Sequence, residues 1–178
     1  MNDKNFVGNS RSCIDFLGNE WNYDCMGCSV TSGDIKLPGG FIYDGKYCVL
    51  GCDPEIPIPG FLIVNTKRHI NSFSELSRDE RIEIGDVIAC AEKALKELGI
   101  VDKVTLVQEE RSRHLHIWIF PNYEWMNEKF GKGISYLREI SEYCIKNCTS
   151  EDVSKVLDVI FSVKNYFNKN FKDGNYDS

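Results

Sequence analysis

The chain contains three histidines, His69, His114 and His116, and two of them alternate along the run His114-Leu115-His116-Ile117-Trp118-Ile119-Phe120. In a strand alternate side chains share a face, so His114, His116, Trp118 and Phe120 project together while Leu115, Ile117 and Ile119 project the other way. One face is then core and the other can line a cleft. Imidazole can ligate a metal, shuttle a proton or attack an electrophile near neutral pH, although two imidazoles on an exposed strand are also compatible with no function. The second chemical spacing is Cys25-Met26-Gly27-Cys28. Buried thiols or a redox pair would fit it, but no thioredoxin-like βαβ context follows. Together, a Cys-x-x-Cys knuckle and two separate histidines supply the four ligands of a closed tetrahedral zinc site. The best-matched set is Cys25, Cys28, His69 and His114, which leaves His116 free. A closed site is structural, because zinc that activates water needs an open position. Catalysis would then fall to His116.

The elements that must position these residues read as an α+β domain. Residues 1–23 show no clear period and are expected to form an N-terminal arm. Two short β-rich runs from Phe41 to Leu50 flank Asp44-Gly45, a pair suited to the positive φ values of a hairpin turn. A third strand is expected at Phe61 to Val64, entered through Pro59-Gly60. Ser77 followed by Glu80 forms a capping-box pattern, and Ile84, Val87, Ile88, Ala91, Leu95 and Leu98 make a helical stripe ending at Gly99. Strands near Val104 to Gln108 and His114 to Phe120 complete a mainly antiparallel sheet. After Pro121 two amphipathic stripes, through Leu137, Ile140 and Cys144 and through Val153, Val156, Leu157, Ile160 and Phe161, predict a C-terminal helical pair. The expected organisation is an arm (1–23), an α+β domain (24–122) and a helical extension (123–178).

At 178 residues the chain suits one domain with additions. Its net charge of -6 and scattered Lys and Arg argue against duplex nucleic acid as a partner, whereas a small anion needs only a few local donors. The first 18 residues lack the apolar run of a signal peptide, so a cytoplasmic location is expected. The eight cysteines then stay reduced, in metal sites or simply buried.

Several motifs in order resemble one family. Pro59-Gly60-Phe61-Leu62-Ile63-Val64, then Lys67-Arg68-His69-Ile70, a long helix, and His114-Leu115-His116-Ile117-Trp118-Ile119-Phe120-Pro121 resemble the histidine-triad (HIT) superfamily of nucleotide hydrolases and transferases, over roughly Cys25 to Pro121. The resemblance implies a HIT-like antiparallel sheet and structural zinc on Cys25, Cys28, His69 and His114, as in many bacterial members. It implies that His116, the middle position of the His-x-His-x-His strand, attacks the α-phosphate of a nucleotide to form a nucleotidyl-histidine. Asp53, seven residues before Gly60, falls where relatives bind the ribose hydroxyls, although an Asp before a proline is equally a turn residue. Gln108 and Ser112 fall near the phosphates, where either could also be a plain surface residue. The nearby Arg111 and Arg113 are read as solvated charges outside the catalytic set.

Two departures stand out. Trp118 replaces the third histidine, and indole has one N–H donor but cannot shuttle a proton. It counts here among the nucleotide-binding residues, with aromatic packing on the sheet face as the alternative. Gly27 and Gly51 stand where many relatives place larger apolar residues against the base. Met26, Val30 and Ile42 could line that pocket, but core packing is the stronger expectation for each. The implied function is hydrolysis or transfer of a nucleoside phosphoramidate or a dinucleoside polyphosphate, by a homodimer binding a purine nucleotide. The alternative is a zinc-stabilised nucleotide-binding module with little or no turnover. His116 favours the first and Trp118 the second.

Overall fold

The computed structural model describes residues 11–108 and 113–171. Five strands form the main sheet, in the order β3-β4-β5-β7-β6 with every neighbouring pair antiparallel. These are β3 (Tyr43–Asp44), β4 (Cys48–Cys52), β5 (Leu62–Thr66), β6 (Val104–Val107) and β7 (His116–Pro121). β3 and β4 form the expected hairpin, but its turn lies at Lys46-Tyr47, closed by Gly45 N donating to Cys48 O at 3.0 Å. Asp44 is the last residue of β3 and Gly45 has no positive φ, so the dipeptide flanks the turn instead of forming it.

Register decides which residues share a face. Val49, Asn65 and His116 lie on one rung, and Gly51, Ile63 and Trp118 on another. Rungs alternate in facing, so both of these face the same side. The intervening rungs, Leu50-Val64-Ile117 and Cys52-Leu62-Ile119, face the other way. There they meet Ile84, Val87, Ala91 and Leu95 of α2 (Arg78–Glu97) in the main hydrophobic core. α2 starts where Ser77 predicts it, with Ser77 Oγ accepting from Glu80 N and Glu80 accepting from Ser77 N.

The structure departs from the sequence reading at both ends. Part of the segment expected to be an arm is a hairpin, β1 (Arg11–Ile14) with β2 (Glu20–Tyr23). Its turn is organised by the buried Asp15 carboxylate, which accepts from Leu17 N, Asn19 N and Trp21 Nε1, each at 2.9 Å. Such a network leaves no hydrophobic period to read. Beyond Pro121 the described residues form three α-helices where two stripes were legible: α3 (Glu124–Phe130), α4 (Leu137–Lys146) and α5 (Ser150–Asn170). α5 lies beside α2 and buries Val156, Ile160, Val163 and Phe167 in the main core. α3 and α4 bring Met126 and Ile140 against Phe61, Ile63 and Phe120 on the opposite face. The C-terminal segment therefore clasps both faces of the sheet. Among the described residues no helix is long and apolar enough to cross a membrane.

One ion pair ties α2 to the loop that carries His69. Arg68 donates from Nε and Nη2 to the two Glu80 oxygens, both at 2.9 Å, and from Nη2 to Glu75 O at 2.7 Å. The Arg68 guanidinium holds the Glu80 carboxyl down to about 2, despite its burial. A carboxyl lowered on folding stabilises the native state above its unfolded value near 4.5 and loses that contribution as pH falls towards 2. Glu80→Gln should therefore lower Tm at pH 7, on the order of 5 °C. The gap between variant and wild type should close between pH 4.5 and 2 in a thermal-denaturation series. A gap that stays constant with pH would mean that Glu80 acts only as a cap.

Candidate metal centre and active site

α1 (Met26–Ser32) begins directly after Cys25 and places Cys28 one turn on, so both thiols leave the same side of the helix. Its inner side is anchored by Val30, which packs with Ile35, Leu37 and Val49. Facing the thiols are His69, in the loop after β5, and His114, just before β7. Leu115 N donates to Ile70 O at 2.6 Å, which holds these two loops side by side.

The four ligand atoms converge. Cys25 Sγ lies 3.5 Å from Nδ1 of both His69 and His114, and Cys28 Sγ lies 3.0 and 3.5 Å from the same atoms. All four ligand atoms are within 4.8 Å of one another. Zinc bond lengths of about 2.3 Å to sulfur and 2.0 Å to nitrogen give tetrahedral S–N edges of roughly 3.5 Å. Cys25, Cys28, His69 and His114 thus fit a tetrahedral zinc ion without rearrangement, and four protein ligands make the site structural.

His114 is oriented from behind. Its Nε2 lies 2.7 Å from Thr66 O and donates to it, so Nδ1 faces the cysteines with its lone pair free. The ring is 2% exposed, and burial pulls its pKa below the usual value, favouring the neutral form that ligates metal. Gly27 makes room for it, because a Cβ there would overlap the His114 ring. At Gly51 a Cβ would meet only the Leu37 Cδ1 methyl, the movable end of a side chain. Close packing therefore accounts for Gly27, while Gly51 is less tightly constrained. Val30 and Ile42 are core residues, and Met26 packs against the Val30 cluster.

His116 opens β7 on the same side of the sheet and is half-buried. Its Nδ1 lies 3.0 Å from His114 O. A carbonyl only accepts, so Nδ1 carries the proton and Nε2 keeps its lone pair. Trp118 follows on the same face, its ring centroid 6.3 Å from that of His116 and 5.2 Å, edge-on, from Phe61. Its Nε1 is buried and has no hydrogen-bond partner among the described residues. The indole therefore presents its ring to its surroundings and withholds its donor.

Asp53 follows the end of β4, on whose last rung Cys52 is aligned with Ile119, three residues beyond His116 and so roughly 10 Å along the strands. Asp53 Oδ1 accepts from Glu55 N at 2.8 Å and Ile56 N at 2.9 Å, so the turn role is realised. Burial raises the Asp53 carboxyl to about 6, against the lowering effect of those two donors. The N-terminal hairpin braces this loop through Phe16 N, which donates to Pro54 O at 2.9 Å. Sequence reading missed that support. Gln108 is exposed just past β6, and Arg113 is exposed as well. Ser112 and Arg111 lie outside the described residues.

Purified protein should contain about one zinc per chain by elemental analysis. Cys28→Ser should lower that content and reduce Tm, because metal affinity here is folding free energy. A zinc-free preparation with a Cys25–Cys28 disulfide would refute the assignment.

No protein-family model matches the sequence, and no curated protein does. Solved structures do match. A histidine triad nucleotide-binding protein of Sulfolobus tokodaii superposes with a TM-score of 0.60 at 18% identity, over 86% of this chain and 100% of that one. A zinc-bound histidine triad family protein of Mycobacterium smegmatis gives 0.54 at 14% identity, over 79% and 96%. A HIT family member from Bacillus subtilis gives 0.53 at 19%, over 72% and 99%. With its antiparallel sheet, its single long helix between β5 and β6 and its Cys/Cys/His/His cluster, the chain has the histidine-triad fold.

Proposed function

We propose that this chain is a HIT-type nucleotide hydrolase or transferase that works through a nucleotidyl-His116 intermediate. The observation that carries the reading is the hydrogen bond between His116 Nδ1 and His114 O, because it leaves the Nε2 lone pair free at a half-buried position. Nε2 attacks the α-phosphorus, a P–N bond forms and the bond to the leaving group breaks. Water or another acceptor then attacks the same phosphorus and releases its proton to solvent, while the P–N bond breaks and its electron pair returns to Nε2 of His116. The His114 carbonyl stabilises the imidazolium character that develops in the first step. Zinc, where bound, supplies rigidity to the strand end and takes no part in the bond changes.

The substrates that fit are a dinucleoside polyphosphate, diadenosine tetraphosphate-like, or a nucleoside phosphoramidate. A polyphosphate departs as a stable anion, whereas an amine must gain a proton that Trp118 cannot donate. Asp53 accepts from the ribose hydroxyls through the oxygen that its turn leaves free, and Gln108 and Ser112 meet the phosphates. Trp118 forms an apolar wall beside the reacting phosphate. By family likeness the working unit is a homodimer. The second reading, a zinc-stabilised nucleotide-binding module with little or no turnover, is favoured by the buried, unpartnered indole nitrogen where a proton-transferring imidazole would stand.

Brief incubation with diadenosine tetraphosphate followed by denaturing mass spectrometry should show an adenylyl adduct on His116. His116→Asn should abolish both adduct and turnover, at least about 10³-fold in kcat, with zinc content unchanged. Full activity in that variant would refute the mechanism. Tight nucleotide binding by the wild type with no turnover would select the binding module.

The Asp53 carboxyl, raised to about 6, gives a second check. Only the ionised form accepts from both hydroxyls, so ribonucleotide affinity should fall as pH drops through about 6. The affinity of a 2′,3′-dideoxynucleotide should stay nearly level. Asp53→Ala should weaken the ribonucleotide about tenfold and the dideoxy analogue far less, by calorimetry. Equal losses for the two ligands would remove Asp53 from the ribose site.

A further inference from the structure

The three helices beyond β7 border a half-open cleft that the proposed chemistry does not use. It has a volume of about 770 Å³, within the usual range of small-molecule sites, and lies where α4 and α5 meet the Pro57–Pro59 loop and Tyr123. It sits beyond the Pro121 end of β7, while His116 opens that strand. Five residues of strand separate the two, roughly 16 Å. None of His116, Asp53, Gln108 and the metal ligands lines it.

Its chemistry is one-sided. The walls are apolar and aromatic: Ile58 forms part of the floor, with Tyr123, Trp125 and Tyr143 around it. Trp125 remains 40% exposed although its ring packs against Phe130 and Tyr143, with centroids 6.3 Å away in each case. The Tyr143 ring already attracts one ammonium, Lys129 Nζ, at 3.8 Å from its centroid. Asp152 and Asp158 supply carboxylates at the rim. Asp152 is fixed by the Thr149 cap, which donates to Oδ2 from its N and Oγ1 at 3.0 and 2.6 Å. Asp158 has no hydrogen-bond or ion-pair partner among the described residues and is exposed. The lining cation, Lys155, is already engaged by Glu151 at 2.8 Å. Two carboxylates against one lysine make the rim net acidic, which favours a cation over an anion.

We propose that this cavity is a second ligand site, selective for a small organic cation with a flat apolar body, of the arylalkylamine class. Its aryl group inserts between Ile58 and the aromatic walls, and its ammonium remains at the rim between Asp152 and Asp158. Charge at a rim adds modestly to affinity and is screened by salt, so the aromatic body supplies most of the binding and the carboxylates most of the selectivity.

The probe is 2-(2-naphthyl)ethylamine, compared with 2-(2-naphthyl)ethanol of the same shape, by calorimetry and ligand-observed NMR at low salt on the full chain. The amine should bind saturably, at least about fivefold tighter than the alcohol. Trp125→Ala and Asp158→Asn should each weaken the amine about threefold to fivefold, and Asp158→Asn, at an exposed position, should do so with Tm unchanged. Asp158→Asn should leave the alcohol unaffected. His116→Asn should have no effect on either ligand. The proposal is overturned if the amine does not bind saturably, if the alcohol binds as well as the amine, or if Trp125→Ala and Asp158→Asn both retain wild-type affinity.

Discussion

The His114 imidazole answers to two demands that together leave it a single orientation. From one side the backbone carbonyl of Thr66 accepts its Nε2–H at 2.7 Å, which fixes the tautomer and anchors the ring to β5. From the other, the two thiols of α1 close on its Nδ1, each at 3.5 Å. The residue's own backbone carries the consequence on, because its carbonyl takes the His116 Nδ1 proton two positions along the chain. Metal ligation, attachment of α1 to the sheet and the tautomer of the candidate nucleophile therefore share one side chain and its peptide group. The space for this ring exists only because residue 27 is glycine, so the middle of the Cys-x-x-Cys knuckle is constrained as tightly as its ends.

How much of this could be read from the chain follows from how local each cause is. The α2 capping box and the alternation along β7 are decided by residues a few positions apart and stand where their patterns predict, whereas the hairpin expected to turn at Asp44-Gly45 turns at Lys46-Tyr47. The metal set was legible for a different reason: with three histidines in the chain, two thiols at helical spacing leave few ways to complete four ligands. The N-terminal hairpin was not legible, because its strands are short and its order comes from the polar network around Asp15. α3 escaped as well, since its seven residues bury Met126 alone and show no stripe. The Asp53 environment was half legible. Its turn bonds follow from the residue type, but the burial that raises its carboxyl depends on distant segments folding over the loop.

The sheet has two faces with different duties, and the C-terminal helices reconcile them. On the α2 side the packing is continuous, with α5 extending the layer that α2 begins. On the His116 side α1 covers one end of the strands through Val30 and Val49, while α3 and α4 cover the other through Met126 and Ile140. The stretch between them leaves His116 and Trp118 partly exposed, and it is there that the proposed chemistry would take place.

Trp118 belongs to both the open stretch and the covered end, which sets a limit on the chemistry. Its indole packs edge-on against Phe61 and stacks with Phe120 at 6.4 Å, so it is part of the apolar cluster on which α3 and α4 rest. Burying Nε1 without a partner costs about 1–3 kcal/mol, and the area the large ring buries is of the size needed to offset that cost. An imidazole at this position would regain a proton-transferring group beside His116 but would fill less of the cluster. Its second nitrogen would then face the same apolar surroundings that leave the indole donor unpaired. The tryptophan thus trades proton transfer for packing, and under the proposed chemistry that trade favours leaving groups that depart without a proton over amines, which need one.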